Sequence, residues 1–267
     1  MGEAIVITSG KGGVGKTTTS ANIGTALALQ GKKVCLVDTD IGLRNLDVVM
    51  GLENRIIYDL VDVVEKRCKI HQALVKDKRF EDLLYLLPAA QTVDKSAVKP
   101  EQMKELITNL KQDYDYIIID CPAGIEQGFQ NAIAGADKAI VVTTPEVSAV
   151  RDADRIIGLL EKERHMEPPK LIINRIRNHM MKSGDMLEID EIAQHLSIEL
   201  FGIVADDEEV IKASNHGEPI ALNPNSKASI AYRNVARRIL GESIPLQPLD
   251  EPNKGVFTKL KKFFGVK

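Results

Sequence analysis

A chain of 267 residues is long enough for one large α/β domain or for two small ones. Its 44% hydrophobic and 27% charged residues are typical of a soluble globular protein, and its net charge of −3 gives no general attraction to nucleic acid. Cys35, Cys68 and Cys121 are too few and too widely spaced for a disulfide framework or a zinc site, which favours reduced thiols in a cytosolic protein. No secretory signal opens the chain and no apolar run approaches ~18 residues, so we expect any membrane contact to be peripheral.

Short apolar runs rich in β-branched residues alternate with longer stretches of helical pattern. Such runs suit strands that are buried on both faces of a parallel sheet. The predicted strands are Ala4–Thr8, Lys33–Val37, Leu83–Leu87, Tyr116–Ile119, Ala139–Thr143, Leu171–Ile173 and Glu199–Val204. The predicted helices include Thr17–Gln30, Pro100–Lys111, Glu126–Ala134 and Val147–Arg164. The alternation predicts an α/β fold with a doubly wound, mostly parallel sheet, helices on both faces, and a ligand site beyond the carboxyl ends of the strands.

The organisation of the chain changes near Gly241. Residues 241–254 contain Pro245, Pro248 and Pro252 and are typical of an extended linker. Residues 255–267 follow as a short segment of different character. We therefore predict a main domain at residues 1–240, a Pro-rich linker at 241–254 and a separate C-terminal segment at 255–267.

A phosphate-binding loop is the strongest motif. Residues 10–17 read Gly-Lys-Gly-Gly-Val-Gly-Lys-Thr and match G-x-x-x-x-G-K-[ST] between a predicted strand and a predicted helix. Glycines let successive N–H groups point at phosphate oxygens, and the helix N-terminus adds partial positive charge. Lys16 would reach the β- and γ-phosphates, and the Thr17 hydroxyl would ligate Mg²⁺. The predicted nucleotide-binding residues here are Lys11, Gly12, Gly13, Val14, Gly15, Lys16, Thr17 and Thr18.

Two acidic loops follow predicted strands, at Asp38-Thr39-Asp40 and at Asp120-Cys121-Pro122-Ala123-Gly124. Carboxylates just past strand ends lie where Mg²⁺ and an attacking water would sit. Asp120 is placed to hold Mg²⁺, Asp38 to support the metal shell and Asp40 to orient the water, while the Gly124 N–H could reach the γ-phosphate. A lone aspartate at a strand end is more often a helix cap. Two such loops beside a phosphate loop favour the catalytic interpretation for Asp40 and Asp120, and they leave both interpretations open for Asp38.

The base-binding residues are less clearly marked. The chain has no N-K-x-D element of the kind that guanine-specific GTPases use, which favours ATP over GTP. Asn174-Arg175 follows one predicted strand and Ala205-Asp206-Asp207 follows another, so both are candidate base loops. Asn174-Arg175 could instead form a polar turn.

The C-terminal segment has the pattern of a basic amphipathic helix. At ~100° per residue its apolar side chains fall within a sector of about 120° and its lysines fall outside it. Phenylalanine on one face and lysine on the other are typical of binding to an anionic membrane surface. Docking on the main domain and binding to a partner's groove are the alternatives. The predicted membrane-contacting residues are Val256, Phe257, Leu260, Phe263 and Phe264.

The phosphate loop, with its second lysine at Lys11, resembles the deviant Walker A motif of the MinD/ParA group of ATPases. Residues 38–47 look like switch I of that group, residues 120–124 like its D-x-P-A-G switch II, and Asn174-Arg175 like its adenine-framing pair. The resemblance implies that Lys11 reaches across an ATP-dependent homodimer to the partner's phosphates. It implies a slow, Mg²⁺-dependent ATPase with Lys11, Lys16, Asp40 and Asp120 as catalytic residues.

The resemblance extends from end to end of the chain and is greatest to the division-site-selection branch of the group. It implies a switch at the inner face of the cell membrane that recruits a MinC-type division inhibitor when dimeric and releases it after hydrolysis. A topological or ATPase-stimulating partner is also implied, and no specific nucleic acid is expected. A ParA-like chromosome-partition ATPase and a flagellar-number regulator of the same fold are the alternatives, and a scaffold that binds nucleotide without turnover is a third.

Overall fold

The computed structural model describes residues 1–247, and these residues contain one eight-stranded sheet. The strands are β1 (Glu3–Thr8), β2 (Val34–Asp38), β3 (Val75–Lys76), β4 (Leu84–Leu87), β5 (Tyr116–Asp120), β6 (Lys138–Thr143), β7 (Lys170–Ile176) and β8 (Glu199–Ala205). Their order across the sheet is β3-β4-β2-β5-β1-β6-β7-β8. Neighbouring strands are parallel except for β3 and β4, which pair antiparallel at one edge.

Helices cover both faces of the sheet. They are α1 (Lys16–Leu29), α2 (Leu46–Met50), α3 (Leu60–Val64), α4 (Ile70–Ala73), α5 (Pro100–Leu110), α6 (Gln127–Ile133), α7 (Val147–Leu160), α8 (Asn178–Lys182), α9 (Ile189–Leu196), α10 (Glu208–Asn215) and α11 (Lys227–Ile239). One buried cluster includes side chains of α5, α6, α7 and α9, and a second includes those of α1, α2 and α11.

Strand β1 shows why the apolar runs are continuous. Ala4 and Val6 pack into the first cluster, whereas Ile5 and Ile7 pack into the second. Successive side chains of a strand point to opposite faces, and here both faces are covered, so every position must be apolar. The predicted doubly wound, mostly parallel α/β fold is confirmed.

The structure corrects the end of one predicted strand. Leu171–Ile173 was expected to end before Asn174, but β7 continues to Ile176 and includes both Asn174 and Arg175. Its pairing with β8 is irregular between Ile173 and Ile176, and Arg175 has φ 55°. The polar pair therefore lies in a distorted strand end, where apolar periodicity gives no signal.

Helix α11 ends beside the predicted domain boundary, and residues 242–247 have no regular secondary structure. The Arg238 guanidinium donates to the carbonyls of Ile244 at 2.9 Å, Pro245 at 2.8 Å and Phe201 at 3.0 Å, so this part of the linker is held against α11 and β8. Residues 248–254 of the predicted linker and the predicted amphipathic helix at 255–267 lie outside the described residues. Within residues 1–247 no helix has the length and apolarity needed to cross a bilayer.

Candidate nucleotide site

The phosphate loop joins β1 to α1 at the carboxyl edge of the sheet. Gly13 and Gly15 have φ values of 80° and 97°, which L-residues with a Cβ rarely adopt. A Cβ on Gly15 would also overlap the Asn174 side chain, whose Nδ2 donates to the Val14 carbonyl at 2.8 Å. Glycine is therefore required at position 15 both by the backbone conformation and by the approach of β7.

The two lysines of the loop lie in different surroundings. Lys16 is buried, and its Nζ donates to Ser9 Oγ at 2.9 Å, while Ser9 Oγ donates to the Lys11 carbonyl at 2.7 Å. The Lys11 ammonium is exposed and donates to Glu146 Oε2 at 3.1 Å and to Ser148 Oγ at 3.0 Å, at the start of α7. Lys16 thus lies within the loop, whereas Lys11 lies on its outer surface.

The predicted acidic residues end two neighbouring strands. Asp38 of β2 and Asp120 of β5 are partners in the strand register, and both are buried. Asp120 Oδ1 accepts a hydrogen bond from Ser20 at 2.8 Å, and Thr17 also donates to this carboxylate. Ser20 lies one helical turn after Lys16, so α1 directs both towards the same site.

Burial raises the pKa of both carboxyls above the ordinary value. For Asp38 burial is the largest cause and the charge of Asp120 adds to it, while N–H donation from Asp40 and Leu46 opposes it. For Asp120 burial again raises the pKa, and it is opposed by hydrogen bonds from Ser20 and Thr17 and by the charge of Lys16. A cation between the phosphates and Asp120 would relieve this unfavourable burial of negative charge.

The donor set fits Mg²⁺. The Thr17 hydroxyl and the Asp120 carboxylate are hard oxygen ligands that already lie in hydrogen-bond contact. Within residues 1–247 no three His, Cys, Asp or Glu side chains converge to hold a metal ion. The Asp38 oxygens accept N–H groups of Asp40 at 2.9 Å and Leu46 at 3.2 Å, so this carboxylate braces the loop after β2. Its part in the metal shell stays a prediction.

Switch residues follow the same two strands. Thr39 Oγ1 donates to the Asp120 carbonyl at 2.6 Å, which fastens the loop after β2 to the end of β5. Asp40 comes next and is half-buried. Gly124 has φ 93°, and a Cβ there would meet nothing within 4 Å, so its constraint is conformational. The structure therefore brings Asp40 and Gly124 to the phosphate-loop edge, while their catalytic roles stay predictions.

A cleft of about 320 Å³ opens beside the phosphate loop. Its size is that of a small-molecule site. Both candidate base loops line it, so the two are walls of one cleft rather than alternatives. Its lining includes Gly15, Thr18, Asn174, Arg175, Asp206, Asp207, Val210, Ile211 and Tyr232.

Two residues of the second base loop have structural duties. Arg177 Nε donates to Asp206 Oδ2 at 2.6 Å. Asp207 caps α10 through the Glu209 N–H and accepts from the Ser226 hydroxyl at 2.8 Å. Burial raises the pKa of Asp207, but these hydrogen bonds outweigh it and the net shift is downward. Helix capping, the ordinary role of an aspartate after a strand, is thus seen at Asp207.

Sequence reasoning missed several polar residues of the site. Ser20 could have been found from helical spacing after Lys16, and Ser9 from its place before the loop. Glu146 and Ser148 meet Lys11 across more than 130 positions of sequence, and no local pattern indicates such a contact. The predicted phosphate-loop and strand-end residues, in contrast, do converge at one edge of the sheet.

The chain is similar to known proteins over its whole length. A family model described as an AAA domain matches residues 2–173. The septum site-determining protein MinD of Bacillus subtilis is 79% identical over 267 residues, covering 100% of each chain. The chain belongs to the MinD family. Members of this family are ATP-binding P-loop ATPases of cell division and septum site selection.

Solved structures of the family have the same fold. The MinC:MinD cell division protein complex of Aquifex aeolicus matches with a TM-score of 0.85 and 52% identity, covering 92% of this chain and 99% of that one. The septum site-determining protein MinD of Pyrococcus horikoshii, complexed with Mg-ADP, matches with a TM-score of 0.80 and 32% identity over 90% and 96% of the two chains. The described part of this chain therefore has the fold of solved MinD structures.

Proposed function

We propose that this MinD-family protein is a slow, Mg²⁺-dependent ATPase switch in division-site selection. ATP binding forms a homodimer that binds the inner face of the cell membrane and recruits a MinC-type inhibitor, and hydrolysis releases both. The observation that carries the proposal is the convergence of Lys16, Asp120, Asp40 and the cleft on one edge of the sheet.

Each part of the site has a place in nucleotide binding. The cleft beside Asn174 takes adenine, and the loop N–H groups with Lys16 take the phosphates. The Pyrococcus horikoshii relative is complexed with Mg-ADP, which supports nucleotide and Mg²⁺ as ligands. When bound, Mg²⁺ neutralises phosphate charge, and Thr17 and Asp120 would hold it.

Hydrolysis needs a positioned water more than it needs a strong base. Asp40 orients the water, whose oxygen bonds to the γ-phosphorus as the bond to the bridging oxygen of ADP breaks. Lys16 meets the negative charge that develops in the transition state. Among residues 1–247 the exposed Lys11 is the loop cation that faces outward, so full charge stabilisation awaits a second copy. This requirement makes the isolated chain slow.

The dimer surface is supported by exposure at the nucleotide edge. Leu43 in the loop after β2, Ile125 in the loop after β5 and Val147 at the start of α7 are 62%, 53% and 53% exposed. These large apolar side chains follow strands that are close together in the sheet, so they emerge at the same edge as Lys11. Burying them against a second copy would bring each Lys11 towards the partner's phosphates.

Membrane binding follows from the sequence of residues 255–267. A single short basic amphipathic helix binds weakly, but two on one dimer raise avidity by ~10²–10⁴-fold. The proposed location is therefore cytoplasmic, and reversibly peripheral at the membrane when ATP is bound. A complex of MinC with the Aquifex aeolicus relative supports a MinC-type partner.

Sedimentation with anionic liposomes tests the switch. We expect the wild-type protein to sediment with a non-hydrolysable ATP analogue and to stay in solution with ADP, and Phe263→Glu to stay in solution with both. A DNA gel shift run in parallel addresses the ParA-like alternative, since retention of DNA with ATP and no liposome binding would contradict our proposal.

Phosphate release by wild type and Asp40→Ala, with liposomes present, tests turnover. Equal release by both would remove Asp40 from catalysis, and no release by wild type would indicate a scaffold.

A further inference from the structure

An arginine outside the nucleotide site joins three separate parts of the fold. Arg79 lies in a short turn between β3 and β4, and its Nε and Nη2 donate to the Asp77 carboxylate at 2.7–3.1 Å. Nη2 also donates to the Met50 carbonyl at 2.6 Å, and Nη1 donates to the Gly217 carbonyl at 3.1 Å. Met50 ends α2 and Gly217 follows α10, so one guanidinium links the ends of two helices that are distant in sequence.

The backbones around these two carbonyls are in direct contact. Gly51 and Gly217 have φ values of 67° and 66°, and a Cβ on Gly51 would lie 2.6 Å from the Gly217 oxygen. No side chain separates the two loops, so movement of one is transmitted to the other. Positive charge at the carboxyl ends of helices is also favourable, which strengthens the hold of Arg79 on both.

The two linked helices serve opposite ends of the nucleotide. The first residue of α2, Leu46, donates its N–H to Asp38, and the same carboxylate accepts the Asp40 N–H. Helix α10 supplies Val210 and Ile211 to the cleft wall. A continuous series of contacts therefore runs from the loop at the γ-phosphate through α2 and Arg79 to the helix beside the base.

We infer that Arg79 is a positioning residue that couples the switch loop at Asp38 to the base cleft. When a γ-phosphate orders that loop, α2 moves with it, and Arg79 with the Gly51–Gly217 contact transmits the change to α10. The inference rests on the proposed nucleotide binding. It also assigns the antiparallel β3–β4 edge a role in the nucleotide cycle, because Asp77 and Arg79 lie in the turn between these two strands.

Hydrogen–deuterium exchange of α10 tests the coupling. Lys11→Ala is used as the background, and light scattering verifies that it stays monomeric, so that dimer contacts do not protect α10. We expect severalfold slower exchange of the α10 amides with a non-hydrolysable ATP analogue than with ADP. Calorimetry in the same samples establishes that both nucleotides bind.

The variants are chosen so that the fold survives. Replacing Arg79 alone would leave the buried Asp77 carboxylate without its counter-ion, which is strongly destabilising. The double variant Asp77→Asn with Arg79→Gln keeps similar volume with neutral amides. Arg55→Gln is the matched control, because Arg55 donates to the Lys76 carbonyl at 3.0 Å in the same region without bonding to Met50 or Gly217.

The outcomes separate the coupling from the proposed function. Loss of the analogue-versus-ADP difference in the double variant, with both nucleotides still bound and the difference kept in Arg55→Gln, supports the inference. Retention of the difference in the double variant, or its loss in Arg55→Gln as well, overturns it. If the background protein binds both nucleotides but α10 exchanges alike with each, the coupling is wrong and nucleotide binding stands. If wild type, measured alongside by calorimetry, binds neither nucleotide, the proposed function itself is wrong.

Discussion

Gly15→Ala should damage the phosphate loop more than Gly12→Ala or Gly13→Ala does. The native φ of 97° is strained for alanine, and the added Cβ would lie 3.6 Å from Asn174 Cγ and would overlap its Nδ2. Asn174 is buried, so its amide cannot turn into solvent to escape. The substitution therefore forces Asn174 away from the Val14 carbonyl, or forces the loop away from β7.

The cost of Gly15→Ala can be divided into two parts. A non-glycine residue in this backbone region costs about 1–3 kcal/mol. Breaking the buried hydrogen bond between Asn174 and Val14 costs about 1–3 kcal/mol more, because both groups lose their partner. We expect the free energy of unfolding to fall by about 2–6 kcal/mol in total, with weaker binding of Mg-ADP because the loop N–H groups are displaced.

Urea unfolding without nucleotide measures this loss, and two neighbours provide matched controls. Gly13→Ala has the strained φ of 80° but meets nothing within 4 Å, so it isolates the backbone cost. A Cβ on Gly12 would meet only the Ala123 Cβ, at 3.9 Å, so Gly12→Ala should leave stability nearly unchanged. Asn174→Ala combined with Gly15→Ala makes room for the methyl group, and its effect should be smaller than the sum of the two single substitutions. If Gly15→Ala is no worse than Gly13→Ala, the contact with Asn174 does not determine the loop.

Three further predictions use the charged groups. Because burial raises the pKa of Asp38, the folded state binds more protons than the unfolded chain does. The free energy of unfolding without nucleotide should therefore fall as pH rises from the ordinary carboxyl value of 3.8 towards about 8. Urea titrations across this range should show a weaker pH dependence for Asp38→Asn, and an unchanged pH dependence would contradict the assignment. Lys11→Ala should change the unfolding free energy by only about 0.5 kcal/mol or less, since its ion pair with Glu146 is exposed, so that a larger loss would show a structural role. Asp207→Ala should lower the free energy of unfolding by about 1–2 kcal/mol, because it removes the cap of α10 and the hydrogen bond to Ser226. It should also weaken Mg-ADP binding in calorimetry. A stable variant with unchanged affinity would refute the link between α10 and the cleft.

Local sequence was sufficient for the framework of the site. Glycines, Lys16 and Thr17 lie within one strand–loop–helix unit, and the carboxyl edge of a parallel sheet brings Asp38 and Asp120 to the same place. The continuous apolar runs of β1 and β5 made their positions predictable. Strand β3 has two residues, Val75 and Lys76, which is too short to show any period.

Long-range polar contacts could not be predicted from the sequence. The hydrogen bond from Asn174 to Val14 spans 160 positions, and that from Arg79 to Gly217 spans 138. Such pairs depend on how strands and loops pack, so neither residue type nor sequence spacing predicts them. The irregular pairing of β7 with β8 lies at Asn174, whose side chain bonds to the phosphate loop, and it could not be predicted either. The roles predicted for residues 255–267 remain predictions.

Helix α11 connects the cleft to the residues that follow the main domain. At its start, the Ser226 hydroxyl donates to Asp207. Further along, Tyr232 lines the cleft. Near its end, Arg238 donates to the carbonyl of Ile244, which follows the helix. Its 13 residues span about 20 Å. A tilt of only about 3° at the cleft would swing the far end by about 1 Å over that length. A small tilt of α11 at the cleft would therefore displace Ile244 and Pro245, the two residues after the helix whose carbonyls Arg238 holds.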